Sequence, residues 1–285
     1  MKRILLPTDF SVNAYNAMRY ALQLYKDTQC LFYILHTYTP ATVTSGSMMD
    51  SYSALGLQEI EKENAERNLS ETKDELKKEF RNDKHSFKTI ASFNLLIPEM
   101  KEVVAENNIE LIIMGTKGAT GAKEIFLGTH TMYTIKKMKS PVIVVPSGFE
   151  YEKPVEILFP TDFKVKKSNR YLTLIRDLCE THNSRLHILN AYYNKPLEEE
   201  QKRVKVFLDA FFMSNAHLFH IAEDEGLIEA IETFEMSKRV NFLIMIHNKH
   251  TLFENLLFRP IINQMVYHTN VPFLVIPSED RIESL

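Results

Sequence analysis

Glycine is scarce in this chain, with eight in 285 residues. It weakens regular elements but admits positive φ and close backbone approach, so its placement is informative. Cysteine is scarcer still. Cys30 and Cys179 are the two, far apart in the chain; that excludes a disulfide framework and makes a reducing cytoplasm the expected setting. No run reaches the roughly 18 apolar residues of a membrane span. The basic start Met1-Lys2-Arg3 meets Pro7 and Asp9 too soon for a signal-peptide core, so no membrane association is expected. Neither sign of charge is in excess: 34 Lys and Arg against 37 Asp and Glu leave −3, which removes the case for a nucleic-acid surface. Metal-ligand sets are also missing. On a strand, His217 and His220 of "HLFH" face opposite sides, and "HNKH" (His247–His250) has no carboxylate or thiolate at useful spacing. No Cys–His or Ser–His–Asp arrangement emerges from the spacing, so no catalytic residue is assigned.

What the chain does have is a repeat. "RILLPTDF" at Arg3–Phe10 returns as "EILFPTDF" at Glu156–Phe163. The stretch Leu111–Pro146 aligns without a gap to Phe242–Pro277, bringing Pro141 onto Pro272 and Pro146 onto Pro277. Both ends of the unit match in the same order. The expectation is two similar domains, 1–147 and 154–280, joined by "SGFEYEK" (Ser147–Lys153).

Each half reads as alternating strands and helices. In the first, Arg3–Leu6 is a short buried strand, and Ser11 caps a helix with the apolar stripe Ala14, Met18, Ala21, Leu22 and Tyr25. Cys30–Tyr38 is a second strand. A polar stretch, Thr39–Leu55, precedes a charged helix from about Gln58 to Phe80. Ser86–Phe93, Leu111–Met114 and Val142–Val145 are further strands, with helices at Ile97–Glu106 and about Thr129–Lys137. The second half repeats the scheme with a shorter middle. Strands separated by crossover helices imply an α/β fold: open, doubly wound parallel sheets with helices on both faces.

In such sheets ligands bind beyond the carboxyl ends of the strands, where the strand order reverses. Asp9 follows the first strand and Gly115 the fourth. Four of the eight glycines, Gly115, Gly118, Gly121 and Gly128, lie in "GTKGATGAKEIFLGT", which then enters a helix at Thr129. Helix N-termini attract phosphate, so the glycines are expected to let N–H groups converge on an anion. A purely structural turn explains them less well. The second half makes the same connection without glycine, with Ile246, Lys249, Arg259 and Pro260 at the positions of Gly115, Gly118, Gly128 and Thr129. That half is therefore expected to be a degenerate copy. For Asp9 a turn role is an equal alternative, since Asp162 persists where the glycines do not.

The spacing Gly115-x₂-Gly118-x₉-Gly128-Thr129 resembles the nucleotide-binding motif of universal stress proteins, in the subclass that binds ATP. "PTDFS" (Pro7–Ser11) and "LHT" (Leu35–Thr37) are similar to that family's other two segments, and the likeness covers nearly the whole chain as a tandem arrangement. The resemblance implies the adenine nucleotide alpha hydrolase-like strand order 3-2-1-4-5. It implies Pro7, Thr8 and Asp9 near the adenosine, and Thr37 at the adenine, where the family usually has an aliphatic residue. Met114 and Gly115 would approach base and ribose; Gly118, Gly128, Thr129 and His130 would form the phosphate loop. The implied ligand is ATP, alone or with Mg²⁺, one per chain and in the first domain. The implied role is sensing or regulation in a stress response, with little hydrolysis and an unnamed protein partner. Two rivals stand beside it: a slow ATPase or nucleotide-dependent transferase, and a nucleotide-free interaction scaffold. The strand order also makes Val142–Val145 and Phe273–Ile276 edge strands. They are expected to pair antiparallel about an internal pseudo-twofold, so that one chain does the work of a dimer; a further homodimer is left open.

Overall fold

The computed structural model describes residues 1–39, 50–116, 128–190, 196–222, 227–247 and 270–278. Side chains are described over the same residues except 50–55 and 227–228. The chain divides into two units, Met1–Tyr151 and Glu152–Leu285.

In the first unit, β1 (Lys2–Pro7) is apolar from Ile4 to Leu6 and wholly buried there. Helix α1 (Val12–Leu24) starts at Ser11, whose hydroxyl accepts the Ala14 N–H at 3.2 Å. The anticipated stripe is buried, and Ala17, Tyr20 and Leu24 join it, so more than one stripe of α1 faces the core. Then come β2 (Cys30–Tyr38), α2 (Asp50–Glu79), β3 (His85–Phe93), α3 (Leu96–Asn107), β4 (Leu111–Gly115), α4 (Thr129–Lys137) and β5 (Val142–Val145). The start of α2 departs from the sequence expectation. Residues 50–55, read as part of a polar loop, are already helical, and Gly56 lies inside the helix. A Cβ at Gly56 would meet nothing within 4 Å, so that glycine punctuates nothing. Asn108 ends α3 in the left-handed conformation at φ 49°, the usual reason for asparagine just past a helix.

The strand order is β3-β2-β1-β4-β5, every described pair parallel. The order therefore reverses between β1 and β4. This is the doubly wound order 3-2-1-4-5, and the fully buried runs of β4 and β5 reflect a sheet covered on both faces at these strands.

The second unit has β6 (Glu156–Pro160), α5 (Leu172–His182), β7 (Arg185–Asn190), α6 (Glu199–Phe211), β8 (His217–Ile221), α7 (Leu227–Lys238), β9 (Phe242–His247) and β10 (Phe273–Pro277). Its order, β8-β7-β6-β9-β10, is the same pattern. Register carries the repeat into three dimensions. Met114 pairs Val144 in the first unit, and Met245 pairs Val275 in the second; these are the partners that the gapless alignment superimposes. Helix α5 has no counterpart in the sequence expectation. It begins nine residues after Phe163, where α1 begins two after Phe10.

No helix among the described residues is long and apolar enough to cross a membrane. Cys30 and Cys179 are free and buried, and burial pushes both thiols up to about 12; neither is available as a thiolate.

Candidate functional site

The end of β1 turns sharply. Thr8 N–H donates to Leu35 C=O at 2.8 Å. The Thr8 hydroxyl accepts the Phe10 N–H at 2.9 Å, and Asp9 Oδ1 accepts the Ser11 N–H at 3.1 Å. Phe10 sits at φ 62°, a conformation uncommon for a bulky residue. These bonds and the Ser11 cap hold it there. The "PTDFS" segment is thus a self-bonded turn that launches a helix while leaving the Asp9 residue exposed.

His36, near the end of β2, secures the turn from the side. Its Nδ1 lies 2.8 Å from Thr8 C=O. A carbonyl only accepts, so that nitrogen carries hydrogen. Its ring packs against Phe10 at 4.4 Å between centroids.

Across the switch point, β4 ends at Gly115. A Cβ there would lie 3.0 Å from the Asn13 carbonyl oxygen in the first turn of α1. Gly115 C=O accepts the buried Thr131 hydroxyl at 2.8 Å. Gly128 N–H donates to Thr116 C=O, and Thr116 N–H to Val145 C=O. The two flanks of residues 117–127 are therefore tied together. Helix α4 starts at Thr129 on an N-cap, Gly128, that makes no side-chain capping bond, so its first amides have no partner within the helix.

Between these elements lies a cleft of about 260 Å³. Its lining comes from the turn after β1 (Pro7, Thr8 and Asp9), from Thr37 of β2, and from the end of β4 and the start of α4 (Met114, Gly115, Gly128, Thr129 and His130). Gly118 lies outside the described residues. Four lining residues were not singled out from the sequence: Ala14, His36, Leu96 and Thr131. Pro7, Ala14, Leu96 and Met114 supply apolar lining, whereas Asp9 and the start of α4 supply polar groups.

The second unit repeats the turn but closes it. Thr161 N–H donates to Leu189 C=O at 2.8 Å, Phe163 N–H to the Thr161 hydroxyl at 3.0 Å, and Lys164 N–H to Asp162 Oδ1 at 3.0 Å; Phe163 has φ 55°. Asn190 Nδ2 takes the part of His36, donating to Thr161 C=O at 2.9 Å. From the start of α6, Gln201 Nε2 donates to Asp162 C=O at 2.7 Å. Gln201 is itself buried, and its Oε1 accepts the Glu198 N–H. Asp162 is buried as well, and burial raises its carboxyl above the usual range. Ile246, at the register position of Gly115, fills core space. Lys249, Arg259 and Pro260 lie outside the described residues.

The two histidines of β8 part company, as strand alternation requires. His217 Nε2 meets Asp209 at 2.9 Å and its Nδ1 the Asn215 carbonyl. His220 Nε2 lies 3.0 Å from Nδ1 of the buried His187, whose Nε2 is 2.7 Å from Glu156 Oε2. His247 is buried at the end of β9; His250 lies outside the described residues.

Comparison with known proteins bears directly on this arrangement. The family model described as the universal stress protein family matches residues 1–146, which is the whole of the first unit's sheet. The chain belongs to the universal stress protein family. It is 30% identical over 157 residues to universal stress protein MJ0577 of Methanocaldococcus jannaschii, covering 50% of this chain and 94% of that one. Among solved structures, a universal stress protein from Archaeoglobus fulgidus superposes with a TM-score of 0.62 at 18% identity, over 98% of this chain and 97% of that one. A putative universal stress protein from Pseudomonas aeruginosa gives 0.60 at 15% identity, over 99% and 95%. At these identities the two structures speak for the fold alone. The sequence resemblance and the family model agree on membership.

Proposed function

We propose that the first unit binds an adenine nucleotide, ATP, in the cleft between β1, β2 and β4, and that occupancy rather than turnover is the output. The observation that carries this reading is the cleft itself. It opens at the strand-order reversal, where such folds bind ligands, with apolar side chains that suit a base and polar groups at the start of α4. In this reading Thr37, Leu96 and Met114 contact the base, and Pro7 to Asp9 the sugar. Gly128, Thr129 and His130, with Gly118, take the phosphates. A helix start, with its free backbone N–H ends and dipole, favours phosphate there. Mg²⁺ would accompany ATP as its counter-ion.

The second unit is read as a copy that has lost the site. Its aspartate is buried, and Gln201 and Asn190 hydrogen-bond the turn. The protein is then a one-site regulatory module of a stress response.

Mass spectrometry of small molecules released from freshly purified protein is the test, followed by calorimetric titration with ATP. Retained ATP and one site per chain are expected. Released ADP with steady turnover would favour a slow ATPase instead. Nothing released and no heat of binding would leave the scaffold reading.

A further inference from the structure

The cleft has an unusual charge inventory for a polyphosphate site. Among its described lining residues there is no lysine or arginine. The groups that can carry positive charge are two imidazoles, His36 and His130. One carboxylate, Asp9, also lines the cleft. The two imidazoles are not equivalent. His36 is committed at Nδ1 to the Thr8 carbonyl and packs on Phe10. His130 is exposed in the first turn of α4, two residues after Gly128.

We propose that His130 is a proton-coupled phosphate contact: binding of a polyphosphate nucleotide draws a proton onto its imidazole, whereas binding of the bare nucleoside does not. This rests on the nucleotide reading of the cleft and adds what sets its preference for phosphorylated ligands. The chemistry is that of any imidazole beside an anion. A neutral imidazole can offer one N–H; the protonated ring offers two and a full charge. A phosphate favours the charged form, and by linkage the charged form favours the phosphate.

The positive end of α4 disfavours a protonated ring at His130 until an anion is bound, and few other charges stand near it among the described residues. Asp9 and His36 are the other titratable groups on the cleft wall. Helix α3, packed on α4, brings one first-turn carboxylate, Glu99, and it accepts a hydrogen bond from Asn94 Nδ2 at 3.0 Å. Strand β5 behind α4 is Val142–Val145 and carries no charge. Lys117 and Lys123 lie outside the described residues; ammonium groups keep their charge between pH 6 and 8, so they cannot imitate a response in that window.

Calorimetry of ATP and of adenosine, at pH 6, 7 and 8 and in buffers of different ionisation enthalpy, reads the proton directly. The terminal phosphate of ATP titrates in a similar range, so the difference between wild type and His130→Gln is the readout. The expected result is net proton uptake with ATP and an affinity about three- to tenfold tighter at pH 6 than at pH 8, the size of a half to one pKa unit of linkage. His130→Gln should reduce both to what the ligand alone contributes, and adenosine should show no uptake. Identical uptake in wild type and His130→Gln overturns the inference while the nucleotide site stands. Failure of both ATP and adenosine to bind overturns the nucleotide reading and this inference with it.

Discussion

A Cβ on Gly115 would meet the Asn13 carbonyl oxygen at 3.0 Å and its carbon at 3.3 Å. This glycine lets α1 approach the end of β4, and its first duty is internal packing. The expectation that the glycines serve an incoming anion is too simple at this position. Gly115→Ala should push α1 away from β4 and cost about 1–3 kcal/mol, the usual range for overpacking, read by urea denaturation. Gly128 differs. Its φ of −56° and ψ of 148° suit any residue, so Gly128→Arg, which copies Arg259 of the second unit, should fold normally. If the start of α4 holds phosphate, that arginine fills the site and ATP binding disappears in calorimetry; unchanged affinity would refute the one-site assignment. What the sequence left unread at this scale follows a rule. Pro7, Thr8, Asp9, Gly115 and Gly128 stand at strand or helix ends, where composition marks a turn. His36 sits within a strand, where alternation says nothing of a hydrogen bond to the next strand's carbonyl. Leu96 reaches the cleft only because of how α3 lies over the sheet, and no local pattern encodes that.

Strands and helices of strong periodicity were legible to within a residue or two, among them α4 and β5. The errors have physical causes. Residues 50–55 continue a polar stretch and so read as loop, yet they are helical, and Gly56 inside α2 faces open space and costs the helix only its propensity. After Phe163 the run Lys-Val-Lys-Lys-Ser-Asn lacks the immediate cap that Ser11 gives α1, and α5 starts late. Side-chain bonds between elements were invisible, above all the chain Glu156–His187–His220 across β6, β7 and β8. Glu156 only accepts, so His187 Nε2 carries hydrogen; a neutral His187 must then accept from His220 Nε2. The chain can take one proton and keep both bonds. With both rings protonated, two N–H groups would face each other at 3.0 Å. Burial, then His187, then Lys238 of α7 hold His220 below the usual imidazole value; Arg185 and Glu156 are the other charges alongside. A histidine lowered in the folded state stabilises fully above the unfolded imidazole value, and this is lost as pH falls through that value towards the folded one. His220 should therefore withdraw stability from the second unit between pH 7 and 5, against the opposite contribution of His217, whose imidazole, despite burial, is raised by its bonds to the Asn215 carbonyl and Asp209. His220→Gln, which keeps an N–H for His187, should flatten that part of the profile in denaturation followed by hydrogen exchange. Asp162 has the opposite sign. Burial raises its carboxyl in the folded state, so wild-type stability gains as pH falls and the proton is taken up. Asp162→Asn, which preserves the acceptor for Lys164 N–H, should match or exceed wild-type stability at pH 7, with the difference fading in acid.

At the scale of the chain, duplication was the most legible feature, because an identical turn and an ungapped block repeat in order. The structural difference between the two turns was only half legible. Substitutions after β9 announced the loss of glycine, but the burial of Asp162 under Gln201 needed the fold. The two units give that difference a consequence that can be measured. A ligand that binds only the folded form of one unit stabilises that unit by RT ln(1 + [L]/Kd), about 2.7 kcal/mol at a hundredfold excess over Kd. If the cleft of Met1–Tyr151 is the one nucleotide site, ATP should slow amide exchange at the ends of β1 and β4 and in the first turns of α1 and α4. Where exchange proceeds through global opening of that unit, protection should rise by about a hundredfold, the same free energy expressed as a rate. Strands β6 to β10 should exchange as before when their opening is independent of the first unit. Hydrogen exchange read by mass spectrometry, on protein first shown to be ligand-free, separates the outcomes. Protection confined to the first unit is the one-site result. Equal, direct protection around Thr161 and Asp162 would mean that the second cleft opens and binds, and no protection anywhere would remove the nucleotide site altogether.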